Sequence, residues 1–163
     1  MKTMTLRTIT DNALVAATYV VLTLLTSSFA YLGIQFRIAE ILILLCFFRK
    51  DFIFGLCLGT LVANALGPLG FYDVLFGTLA TLVSCLLISW MKHLVVASLF
   101  PVIINGLVVG AELYFLLGLP FWMNAGLVAV GELTVVSIVG VALFSLLRRN
   151  RKFLEAIRAE QNF

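Results

Sequence analysis

Charge is what this chain most lacks. Only 12% of its 163 residues are Asp, Glu, Lys or Arg, against about 25% in an ordinary soluble domain. It has one histidine, three prolines and three cysteines. The single His93 excludes a histidine-built metal centre or a Ser-His relay. Cys46, Cys57 and Cys85 lie in apolar runs without C-x-x-C spacing and read as small buried apolar residues. G-x-S-x-G, H-E-x-x-H and a phosphate-cradling glycine loop are all missing, so no enzyme chemistry is expected, and neither a metal nor a resident cofactor. What remains is hydrocarbon: 63% hydrophobic residues and a mean hydropathy of +1.15. The expected class is an all-α integral membrane protein forming one transmembrane domain over residues 1–163.

Apolar length and the breaks at charges, Gly and Pro place six helices at about residues 11–32, 34–48, 52–66, 72–90, 95–117 and 122–147, followed by a basic tail, 148–163. Lys2 and Arg7 before an apolar run reaching Ser28-Phe29-Ala30 imitate a signal peptide, but the run is long enough to span and is expected to stay. Ten basic residues, Lys2, Arg7, Arg49, Lys50, Lys92, Arg148, Arg149, Arg151, Lys152 and Arg158, then fall on one side, and Arg37 alone on the other. The positive-inside rule puts both termini in the cytoplasm of a multi-pass cell-membrane protein. The net charge of +3 is thus a topology signal, and no nucleic-acid partner is expected.

Segments 2 and 3, at about 15 residues or roughly 22 Å, fall short of the ~30 Å hydrocarbon core and are expected to be enclosed or to line a cavity. Small residues repeat at helical spacing in Ala13 and Ala17, in Gly55, Gly59 and Ala63, and in Gly106 and Gly110, which lets helices approach closely. The tail from Arg148 reads as a basic helical end suited to anionic lipid or a partner.

Seven polar residues stand at membrane depth: Arg37, Glu40, Asn64, Asp73, Asn105, Glu112 and Glu132. Each buried charge costs roughly 2.5–3.5 kcal/mol even on lenient scales, so such groups pair or face a cavity. Glu112 lies ~7 Å from the outer end of helix 5 and Glu132 ~15 Å below that of helix 6. Asn105 and Glu112 share one helix face, and Arg37 and Glu40 are close enough to touch. Four acids in the outer half then face one arginine. That excess suits a proton relay, a metal ion or a cationic, donor-rich ligand, the metal being disfavoured by the ligand set. Phe36, Phe71, Tyr72, Phe121 and Trp122 flank the same outer loops, either as an interfacial aromatic belt or as a stacking surface for a flat heterocycle. A carboxylate can accept two parallel N–H bonds from a guanine-like edge.

The string Ile34-Gln35-Phe36-Arg37-Ile38-Ala39-Glu40, the run from Asn64-Ala65-Leu66-Gly67-Pro68-Leu69-Gly70-Phe71-Tyr72-Asp73 through Thr81, Asn105-Gly106 with Glu112, and Gly131-Glu132 together resemble the QueT family over about residues 11–149. A departure is Cys46, where a proline is expected at the end of helix 2. The resemblance implies an S component, the substrate-binding membrane subunit of an energy-coupling factor (ECF) transporter for queuosine precursors. It implies six helices, an outward-facing site, a coupling membrane subunit docked on Ala13, Ala16 and Ala17, and two cytoplasmic ATPases. The ligand would be a 7-deazaguanine: queuine, its aminomethyl precursor or queuosine. Glu112 and Glu132 are the expected direct contacts, with Asn105, Gln35 and Arg37 in support and Glu40, Asn64, Tyr72, Asp73 and Trp122 around them. The alternatives are an S component for another heterocycle or vitamin, and a stand-alone proton-coupled carrier using Glu112 and Glu132.

Overall fold

The computed structural model describes residues 5–26, 36–67 and 70–160. Among these the chain is helical throughout: α1 Leu6–Leu25, α2 Ile38–Phe48, α3 Phe52–Ala65, α4 Phe71–Trp90, α5 Leu94–Leu117, α6 Phe121–Leu147 and α7 Arg151–Ile157. Helices α1, α4, α5 and α6 are long and apolar enough to cross a bilayer, whereas α2 and α3 are shorter. Large apolar side chains stay exposed along the bundle, among them Leu79, Val83, Ile103, Leu107, Phe115 and Ile138. A surface of that kind suits hydrocarbon rather than water.

Helix α1 begins at Leu6, five residues before the charge break suggests. Thr5 caps it, its hydroxyl accepting from the Thr8 backbone N–H at 3.3 Å. The end expected for this helix, residues 26–32, falls mostly outside the described residues, as does the expected start of α2.

Helix α2 is the axis. Ala39, Glu40, Ile43, Leu44, Cys46, Phe47 and Phe48 are buried, and α1, α3, α4, α5 and α6 all touch it. Ile38–Leu44 is 3-10 helix and Leu45–Phe48 α-helix. The tighter winding rises about 2 Å per residue instead of 1.5 Å, so eleven residues reach roughly 20 Å. Because the helix is enclosed by protein, its length need not match a bilayer.

Glycines set the seams around α2. A Cβ on Gly55 would meet the Asn12 backbone, and one on Gly59 would lie 2.9 Å from Tyr19 Cβ and 3.0 Å from Ala16 O, so α3 packs directly on α1. Asn12 Oδ1 also accepts from the Gly55 N–H at 2.7 Å, satisfying a donor in the first turn of α3. Ala16 is therefore a bundle contact, a correction to its expected place on a partner-facing stripe with Ala13 and Ala17. Those two are exposed. In α5, Pro101 removes a helix donor. Across from it α6 is π-helical over Leu133–Gly140, and Ser137 Oγ donates to Ser98 O at 3.1 Å.

The tail is not a free basic end. Helix α7 turns back, and Phe153, Leu154 and Ile157 pack on the core that contains Phe48 and Phe144. The Glu160 N–H reaches Phe48 O at 2.8 Å. Asp11 Oδ2 accepts from Arg49 at 2.8 Å and also from Arg158, which ties α1, the α2–α3 turn and the chain end together. Arg49 is only 2% exposed and lies 4.7 Å from the centre of the Phe52 ring. Asp11→Ala is expected to cost about 2 kcal/mol, because among the described residues Arg49 then keeps only Asp51 at 3.5 Å, the Ile157 carbonyl and the Phe52 ring. A lowered unfolding midpoint in detergent checks this, and an unchanged one would show the clasp to be inert.

Candidate functional site

At the end of the bundle opposite this clasp, five helices bring polar groups together. Arg37 caps α2 and Glu40 follows one turn on. Asn64 lies in the last turn of α3, Asp73 in the first turn of α4, Asn105 and Glu112 on α5, and Glu132 at the entry to the π stretch of α6. All seven are buried. The Arg37 guanidinium lies within electrostatic range of Glu40, Asp73 and Glu132, and also of Glu112. Glu132 lies within electrostatic range of Glu40, and Glu112 of Asp73. One cation thus stands among four acids drawn from four helices.

The contacts differ from those the spacing suggests. Arg37 and Glu40 form no ion pair within 4 Å among the described residues. Arg37 donates instead to Asn64 Oδ1, and Asn64 Nδ2 donates to Asp73 O at 2.9 Å. Asn64 therefore splices the arginine to the start of α4. Gly77 makes room, since a Cβ there would collide with the Asn64 amide and lie 2.9 Å from Asp73 Oδ1. The Asn105–Glu112 ladder is also divided: Asn105 Nδ2 donates to Glu132 Oε1 at 2.8 Å, across the α5–α6 seam.

Glu40 is held by a residue the sequence reading passes over. The Tyr19 hydroxyl, from α1, donates to Glu40 Oε1, and Tyr19 is 0% exposed. A signal existed: a tyrosine in the middle of an apolar helix needs a partner for its hydroxyl when buried. Asn12 was missed for the same reason, an uncharged polar group in a segment read for its charges.

Five polar atoms of the cluster have no hydrogen-bond partner among the described residues: Arg37 Nε, Glu40 Oε2, both oxygens of Glu112, and Glu132 Oε2. A buried acceptor left unmade costs about 1–3 kcal/mol, more when charged, so four such oxygens in one cluster leave acceptors open to donors from elsewhere. Glu112, 4% exposed, also borders a groove of about 520 Å³ between α4 and α5 that is walled by Tyr72, Phe76, Leu107, Val108, Phe115 and Leu116.

The aromatic expectation divides. Tyr72 edges the groove beside Glu112. Trp122 does not reach the carboxylates: it is 79% exposed and its ring packs on Phe121 with centroids 4.8 Å apart. That is a correction, and its cause is position, because the first turn of α6 presents Trp122 outward while Asn124 and Ala125 face in. Gln35 lies outside the described residues.

Long apolar helices around a buried carboxylate cluster are the build of a membrane protein. The chain belongs to the QueT family: that family's model, described as QueT transporter, matches residues 9–149. A curated relative, "Queuosine precursor transporter QueT" of Lactococcus lactis subsp. cremoris (strain MG1363), is 35% identical over 136 residues, covering 74% of this chain and 80% of the relative. No solved structure matches the chain. The family is one of transporters, so the protein is a transporter and not an enzyme.

Proposed function

We propose that this chain is the substrate-binding S component of an ECF-type importer for a queuosine precursor or related 7-deazaguanine. The observation that carries the reading is the set of unpartnered carboxylate oxygens on Glu40, Glu112 and Glu132 beside a single Arg37. A guanine-like edge offers adjacent N–H donors that a carboxylate accepts in parallel, and an aminomethyl substituent adds an ammonium for a second acid. Glu132, already fixed through Asn105, suits the heterocycle edge. Glu112, with both oxygens unpartnered among the described residues and bordering an apolar groove, suits the cationic arm. Arg37, Asn64 and Asp73 form the frame, with Tyr72 at its rim.

In this reading the bundle has six spans with both termini cytoplasmic in the cell membrane, α2 and α3 being the short ones. The exposed Ala13 and Ala17 of α1 face the coupling membrane subunit, and two cytoplasmic ATPases supply the energy.

Isothermal titration of the purified chain with 7-aminomethyl-7-deazaguanine is expected to give saturable binding, and its absence would remove the substrate assignment. Glu112→Gln is expected to weaken that binding by about 2 kcal/mol or more, through loss of a buried charge-assisted hydrogen bond. Unchanged affinity would place the cationic arm elsewhere. Uptake by liposomes holding this chain alone, driven by a pH gradient without ATP, would favour the proton-coupled carrier instead.

A further inference from the structure

We propose that Tyr19 of α1 is a positioning residue for the substrate pocket, orienting Glu40 so that one carboxylate oxygen is held and the other is presented to the ligand. The inference rests on the substrate-binding reading above.

Three observations support it. The first is the bond itself: the Tyr19 hydroxyl donates to Glu40 Oε1, while Oε2 of the same carboxylate has no partner among the described residues. The terminal torsion of a glutamate is broad and nearly free, so a carboxylate keeps one orientation only when something fixes it. The second is that the donor cannot drift. Tyr19 Cβ abuts Gly59, Ala16 abuts the same glycine, and Asn12 is bonded to the Gly55 N–H, so α1 sits at one height and one rotation on α3. The third is the company Glu40 keeps. It lies within electrostatic range of Glu132 and Arg37, so its carboxylate belongs to the same cluster as the acid assigned to the heterocycle edge.

Phenylalanine at position 19 would fill the same volume and keep the seam closed. The hydroxyl is therefore the part of the side chain to test. The probe is 7-aminomethyl-7-deazaguanine, titrated into monodisperse purified protein so that dissociation constants refer to folded chains. Tyr19→Phe is expected to raise Kd about ten-fold, the scale of one hydrogen bond to a charged group. In a Glu40→Gln background, itself weakened, the same change should add less than two-fold, because residues that act through one another are not additive.

An unchanged Kd for Tyr19→Phe, or an equal loss in both backgrounds, overturns the proposal. So does a Tyr19→Phe chain that cannot be recovered folded, which would make the hydroxyl a structural requirement. If the unaltered chain fails to bind the probe, the substrate reading falls and this inference with it. Binding by the unaltered chain with no response to Tyr19→Phe sinks the inference alone.

Discussion

Arg37→Met is expected to leave little folded protein in detergent, with a stability loss of about 3–5 kcal/mol. The substitution keeps most of the volume but removes the one cation among Glu40, Asp73, Glu112 and Glu132, all of them buried. Arg37 is the counter-charge within electrostatic range of all four acids. The change also strips Asn64 of its donor and so loosens the link from α2 through α3 to the start of α4. Arg37→Lys should retain part of the stability, since it keeps the charge but not the planar reach of the guanidinium. Adding Glu40→Gln to Arg37→Met should restore part of the loss by reducing the excess of acids. Thermal unfolding followed by intrinsic fluorescence reads all three. An Arg37→Met chain with an unchanged midpoint would mean that the four acids need no counter-charge, and the account of the cluster would be wrong.

Gly110→Val should be nearly as damaging, for a steric reason. A Cβ at position 110 would lie 2.8 Å from Ala125 Cβ, 2.9 Å from Ala125 Cα and 3.0 Å from its backbone nitrogen. Two of those three atoms are backbone, which cannot swing aside, so α5 and α6 must separate. Overpacking of this kind costs about 1–3 kcal/mol. The consequence for binding is larger, because Asn105 on α5 and Glu132 on α6 meet across this seam at 2.8 Å. Substrate binding is expected to disappear before the fold does. Gly126→Ala, one residue beyond Ala125, is the control: a Cβ there meets nothing within 4 Å and should change neither measurement. Equal behaviour of the two variants would refute the seam.

The helices were readable because hydrocarbon length and charge breaks report directly on elements that cross or lie within a membrane. From α3 to α6 the expected limits differ from the observed ones by no more than one residue, while α7 was expected only as part of a basic tail. The start of α1 was not, because Asp11 looks like a boundary when it is in fact a bridge to two arginines far along the chain. The convergence of the polar residues was also partly legible. Arg37, Glu40, Asn64, Asp73, Asn105, Glu112 and Glu132 do converge, since charges in an apolar chain have few other places to go. Their partners were not, because adjacency in sequence favoured Arg37 with Glu40 and Asn105 with Glu112. Packing instead delivered Asn64 to Arg37, Tyr19 to Glu40 and Glu132 to Asn105. Ala16 shows the same limit on a smaller scale. It sits beside Ala13 and Ala17 in the chain, yet a turn of 3.6 residues puts it against Gly59 and leaves the other two outside.

The Asp11 clasp also imposes an order in time. Its first bond, to Arg49, joins residues 38 apart, whereas the second, to Arg158, joins residues 147 apart. At about 5–20 residues per second of synthesis, the second partner arrives on the order of 10 s after Asp11 has left the ribosome. Arg49 can meet that carboxylate while later helices are still being made, and Arg158 completes the clasp only after α6 is in place. A residue near the end of the described chain thus closes on one near its start.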